Sequence, residues 1–176
     1  MDLWNRFIVG DERAFTELMD AYVDMLFRYG TRCCQDEELV RDTIQELFIK
    51  LWERRRHLGA EANAKAYLFA SLRRMLFRKM RQRPETIPYP DFENFENLFA
   101  VELSVEQRLI RRERVQSMEQ QLKRKMALLP VRQKEVVYLR FFENMKREQI
   151  CDIMKIRPQT VSNLLQNALG KLRASF

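Results

Sequence analysis

Beyond Asp11 the apolar side chains Phe15, Leu18, Met19, Tyr22, Met25, Leu26 and Tyr29 recur three and four positions apart, the spacing that lines one face of an α-helix. Asp11 is placed to cap that helix, because a short carboxylate accepts the first unpartnered backbone N–H groups, and Gly30 stands near its predicted end. A second helix is predicted from about Asp36 to Glu53, burying Val40, Ile44, Leu47, Phe48 and Leu51 along one stripe. His57, Leu58 and Gly59 then read as a loop. Asn63 is a good cap for a third helix, which continues to the basic residues before Pro84.

The helical period stops there. Pro84, Pro88 and Pro90 stand among acids and the rings of Tyr89, Phe92, Phe95 and Phe99, so the segment from Pro84 to Val101 cannot be one continuous helix and reads as a linker. Ser104 and Gln107 have capping-box spacing and open a further helix that ends before Pro130. From Pro130 onward the pattern is helix, break, helix, tight turn, helix. The first of these ends near Phe142, where Asn144 tolerates the left-handed backbone of a helix exit. Glu148 to Met154 then places Ile150, Ile153 and Met154 on one face, with Ile156 turned inward. Pro158 suits the first position of the last helix, which buries Val161, Leu164, Leu165, Ala168 and Leu172. The expected fold is all-α: two small helical domains, residues 1–83 and 104–176, joined by a flexible acidic linker over 84–103, the second containing a helix-turn-helix.

Composition agrees, since 4 Gly and 5 Pro supply little of the turn chemistry that many short strands need. Charge adds a clue to function. The formal net charge of +7 suits a polyanionic partner, and it is segregated. Seven basic residues and no acid lie between Ala64 and Arg83, and six acids and no base between Pro84 and Glu106. Tyr67, Ser71, Arg74, Arg78 and Arg81 share one face of the third helix, an aromatic followed by a basic stripe, which suits phosphates and unpaired bases of a DNA strand. On the second helix Asp42, Gln45, Glu46, Ile49 and Glu53 lie opposite the core stripe and present an acidic and amide face with one exposed Ile, fitted to a basic partner helix.

Other classes of function find little support. Three cysteines, Cys33, Cys34 and Cys151, give neither a disulfide framework nor a zinc-ligand spacing, and a reducing cytoplasm fits them best. Every apolar run is interrupted by charge well short of the roughly 20 residues a membrane helix requires, so a soluble protein without membrane insertion is expected. A single His, no glycine-rich phosphate loop and no paired metal-ligand motif argue against an enzyme, a cofactor or a metal.

In the last helix Gln159, Thr160, Ser162, Asn163, Gln166, Asn167 and Lys171 remain on the outside, as in a helix-turn-helix whose second helix enters the major groove. The order and spacing of Leu129-Pro130, Arg132 to Val136, Leu139 to Glu143, Glu148 to Cys151 and Thr160-Val161 resemble the carboxyl-terminal domain of sigma factors. Residues 14–83 look like the amino-terminal domain of the same family, with Asp42, Gln45, Glu46, Phe48, Leu51 and Trp52 matching its pattern of acid, Gln-Glu and aromatic-apolar ending. The chain is thus similar to the sigma-70 family of RNA polymerase sigma factors, in its extracytoplasmic-function (ECF) subfamily. Two departures stand in the turn: Lys155 where the family usually has Gly, and Arg157 in place of a Ser or Thr cap.

The resemblance implies core RNA polymerase and promoter DNA as partners, with an anti-sigma factor as a further candidate. It implies core-polymerase contacts at Asp42, Gln45, Glu46, Ile49 and Glu53, and downstream-promoter contacts at His57, Asn63, Tyr67, Arg74, Arg78 and Arg81. By position, the loop from Arg56 to Asn63 corresponds to the family's pocket for a flipped base, with polar contacts from His57 and Asn63. Family members often carry Trp at the position of Tyr67, and Asn and Asp near Arg74 and Arg78. Upstream, Gln159, Thr160, Ser162, Asn163 and Gln166 would meet bases, and Arg147, Arg157 and Lys171 would hold phosphates. Two other readings stay open on the residues alone: a free-standing helix-turn-helix regulator, and a helical protein-interaction adaptor.

Overall fold

The computed structural model describes residues 2–59, 63–82 and 125–174. Among them every regular element is helical, and the chain divides into two compact units. The linker over 84–103 and most of the helix expected from Ser104 lie outside the described residues; residues 125–127, where that helix is expected to end before Pro130, are helical.

The first unit opens with a short helix that the periodicity does not show, α1 (Leu3–Ile8), which buries Trp4 and Phe7. Then α2 (Glu12–Cys33) begins as expected, with Asp11 accepting hydrogen bonds from the backbone N–H groups of Arg13 and Ala14. It runs past Gly30, which is no terminator. A Cβ there would lie 2.6 Å from Cγ1 of Val40, so glycine lets α2 and the helix that carries Val40 approach one another. The next helix, α3 (Glu37–Arg54), is capped by Asp36, whose carboxylate accepts from Leu39 N–H at 2.9 Å. It buries Val40, Ile44, Leu47, Phe48 and Leu51 as its period requires. A 3-10 turn, Arg55–His57, leads out of it.

Asn63 Oδ1 accepts from Ala66 N–H and starts α4 (Ala64–Gln82). Helices α2, α3 and α4 pack on one another around Leu26, Tyr29, Leu47, Leu68, Phe69, Leu72 and Leu76. The rings of Tyr29 and Phe69 meet within that core, with centroids 4.9 Å apart.

In the second unit, α5 (Val131–Val137) continues into a π-helical turn, Tyr138–Phe142, so the expected helix end near Phe142 holds with a widened last turn. Glu143 N–H bonds Tyr138 O, Met145 N–H bonds Leu139 O, and Asn144 takes the left-handed backbone with φ 53°. Tyr138 Oη donates to Glu143 Oε1 at 2.7 Å, and Phe142 stacks on the Tyr138 ring. Two further helices follow, α6 (Arg147–Met154) and α7 (Pro158–Ala174). Met126, Leu129, Val137 and Ala168 form a buried cluster, with Leu165 and Leu172 packed against it, so α7 is anchored along its inner face.

Candidate nucleic-acid interface

Helix α3 turns two kinds of side chain outward. Asp42, Gln45 and Glu53 are exposed, and Ile49 stands among them with 53% of its surface open to water. Glu46, the fifth residue of this face, is already engaged. Its carboxylate accepts from Lys50 one turn along α3 and pairs with Lys79 of α4 at 2.7 Å. Hydrogen bonds from Lys50 and then Lys79 pull its pKa down to about 2. Glu46 therefore clips α3 to α4, and one cation of the basic helix is used inside the unit.

Two other cations of α4, Arg74 and Arg78, open onto a groove of about 280 Å³ between α3 and α4. Its floor is Leu47, Leu51 and Met75, with Ser71 at depth. Tyr67, Arg74 and Arg78 enter from α4, and Lys50 and Arg54 from α3. Arg74, Arg78 and Arg54 are exposed, and Arg81 is exposed further along α4. The sequence pattern finds the α4 half of this groove. It misses Lys50 and Arg54, whose i, i+4 spacing is visible but whose neighbour is set by helix packing. Elsewhere on α4, Arg73 lies over the Phe77 ring at 4.6 Å and Lys65 over Phe69 at 5.8 Å.

Beyond the end of α3, His57 is exposed in the 3-10 turn. The turn is held by Arg55, which stacks 4.0 Å over Trp52 and donates from Nη1 to Trp52 O at 2.7 Å. The side-chain oxygen of Asn63 is committed to the α4 cap, which leaves its NH₂ group for other partners. Trp4, unmarked by any pattern in the sequence, bonds Gly59 and touches Tyr67.

In the second unit α6 starts where Gln149 Oε1 accepts from Lys146 N–H at 2.7 Å. It ends at Lys155, which takes φ 53° and ψ 49°, the left-handed region that favours glycine. Ile156 N–H returns to Cys151 O, and Arg157 O accepts from Val161 N–H, so helix, turn and helix follow within a few residues. The Arg157 side chain carries only donors and cannot cap the N–H groups of α7, so its guanidinium points no hydrogen-bond acceptor inward. On the outer face of α7 Gln159, Asn163, Gln166 and Lys171 are exposed, and Thr160 and Ser162 are half-buried. Gln159 Nε2 donates to Asn163 Oδ1 at 2.9 Å, which orders two amides side by side. Ser162 Oγ donates back to Pro158 O. Arg147, at the start of α6, is exposed with Glu148 3.6 Å away.

Among the described residues no group of His, Cys, Asp and Glu could hold a metal ion, and no helix is long and apolar enough to cross a membrane.

Comparison with known proteins adds the following. The family model described as Sigma-70 region 2 matches residues 18–85, and that described as Sigma-70, region 4 matches residues 119–172. No curated protein matches the sequence. Among solved structures, the chain is similar to CnrH, solved in complex with the cytosolic domain of CnrY: 17% identity and a TM-score of 0.63, covering 98% of this chain and 93% of that one. It is also similar to the sigma factor RpoE of Bartonella quintana, solved in complex with the anti-sigma factor NepR. There the identity is 17% and the TM-score 0.62, covering 92% of this chain and 95% of that one. At these identities the likeness establishes the fold. Region 2 followed by region 4 on one chain, with a helix-turn-helix in the second, is the make-up of a sigma factor, and this chain belongs to the sigma-70 family.

Proposed function

We propose that the chain binds core RNA polymerase through the outer face of α3, directs it to promoters through α7, and helps open the DNA along the groove between α3 and α4. These are binding steps and need no covalent chemistry. The observation that carries the reading is Ile49, 53% exposed in the midst of Asp42, Gln45 and Glu53. An aliphatic side chain ringed by acids and an amide suits a partner helix that brings both an apolar contact and basic residues. The basic groove on the same unit and the ordered amides of α7 support the two DNA contacts. Gln159, Ser162, Asn163 and Gln166 are assigned to base edges, with Thr160 beside them, and Arg147, Arg157 and Lys171 to phosphates. An anti-sigma factor is a further proposed partner, since CnrH and RpoE were each solved with a bound protein and the latter's is an anti-sigma factor.

The test is association with purified core polymerase. Gln45→Lys combined with Ile49→Ala leaves the Glu46 clip untouched, so the helices stay folded by circular dichroism. It is expected to weaken binding at least a hundredfold, because a like charge set against a basic partner costs several kcal/mol. Undiminished co-purification of this variant with core would remove the assignment of α3.

A further inference from the structure

Trp4 precedes both segments matched by the family models, yet it is only 2% exposed. It makes two contacts with distant parts of the chain. The indole Nε1 donates to Gly59 O at 3.0 Å, fixing the backbone just beyond the 3-10 turn. The ring meets Tyr67, with centroids 5.8 Å apart and planes tilted by 55°, in the first turn of α4.

The base on which Trp4 stands is itself secured. Arg6 is ion-paired with Asp11 at 2.8 Å, which ties α1 to the cap of α2. Phe7 is fully buried, with its ring 5.8 Å from Phe15 and 6.2 Å from Trp52. Tyr67 remains partly open and lines the basic groove. One side of the tyrosine ring is thus held from the amino-terminal helix while the rest faces a site built for a polyanion. A ring fixed in advance gives up less rotational freedom when a flat partner stacks on it.

We infer that Trp4 is a positioning residue for an unpaired DNA base: through its bond to Gly59 and its contact with Tyr67 it sets the tyrosine ring at the angle on which one base of the opened strand stacks. The inference rests on the proposed assignment of the groove to DNA. Phenylalanine in place of Trp4 fills much the same space but cannot hold the Gly59 carbonyl, so shape and hydrogen bond are separable.

The experiment uses holoenzyme reconstituted from core polymerase and full-length protein, on a pre-melted promoter fragment in which each unpaired base is replaced in turn by an abasic site. In the wild type one position is expected to lose roughly fivefold or more in affinity, the lower range for a base stacked on an aromatic ring. Trp4→Phe should reduce that penalty by at least half, at that position only, with an unfolding midpoint close to wild type. Phe7→Leu, in the same aromatic cluster but with no bond to Gly59, should lower the midpoint and keep the penalty. A full penalty in Trp4→Phe overturns the inference, as does its loss in Phe7→Leu, which would make the cluster a matter of stability alone. Tyr67→Ala separates the two levels. If that variant retains the penalty, the groove does not take the base, and the reading beneath the inference falls with it.

Discussion

Glu46 shows how a single side chain can be right in position and different in role. Its helical angle, read from the sequence, puts it on the outer face of α3 with Asp42, Gln45, Ile49 and Glu53, and all but Glu46 are exposed there. Its carboxylate is drawn to Lys79, a residue of another helix, and no spacing along α3 reveals that. The pairing has a sign in pH. A carboxylate whose pKa falls from 4.5 to about 2 on folding stabilises the protein fully above its unfolded pKa, and this contribution disappears as pH drops through 2. The difference in stability between wild type and Glu46→Gln is therefore expected to be constant above pH 5 and to vanish near pH 2. Solvent around the partly open pair limits it to about 1 kcal/mol. Denaturant midpoints across that pH range check it, and a difference unchanged at pH 2 would refute it. Trp4 is the opposite case, since one indole near the start of a chain carries no periodic signal and gains its meaning only from Gly59 and Tyr67.

At the scale of elements, helix starts were legible because a cap is local chemistry. Asp11, Asp36 and Asn63 each accept the backbone N–H groups two or three residues ahead, as short polar side chains before an apolar period should. Gly30 was less legible, because a glycine late in a helix can end it or admit a neighbour, and only Val40 decides which. The turn between α6 and α7 carries a residue-level departure with an element-level cost. Lys155 sits at φ 53°, where a Cβ crowds the backbone, and glycine there is free of that strain. Lys155→Gly is expected to raise the stability of the second unit by about 1 kcal/mol, with the upstream base preference unchanged. Thermal melts and promoter selection from a randomised upstream library measure the two halves. A variant no more stable than wild type would show that Lys155 gains a compensating contact.

For the whole molecule the relevant quantity is where charge is gathered, more than the net +7. Arg54, Arg74 and Arg78 come from two helices to one groove, and on the proposed DNA assignment each phosphate they neutralise would release counterions. The triple change to Ala is expected to flatten the plot of log affinity against log salt by about 2 for holoenzyme on pre-melted promoter DNA, from ~0.7 per single-strand phosphate. Filter-binding titrations over a range of salt would read the slope, and an unaltered slope would return these arginines to a solubilising role.

The sequence by itself determined the helical class, the caps at Asp11, Asp36 and Asn63, the inward stripes of α2, α3 and α7, the left-handed exit at Asn144 and the order of a helix-turn-helix. All of these follow from backbone geometry and neighbours within a turn or two, which one chain segment fully specifies. The tertiary structure alone decided which helices face each other. It therefore decided that Lys50 and Arg54 complete the basic groove, that Lys79 is spent on Glu46, and that Trp4 reaches Gly59 and Tyr67. Those contacts join residues far apart in the chain, and their partners are fixed by how side chains fill space between helices rather than by any period along one of them.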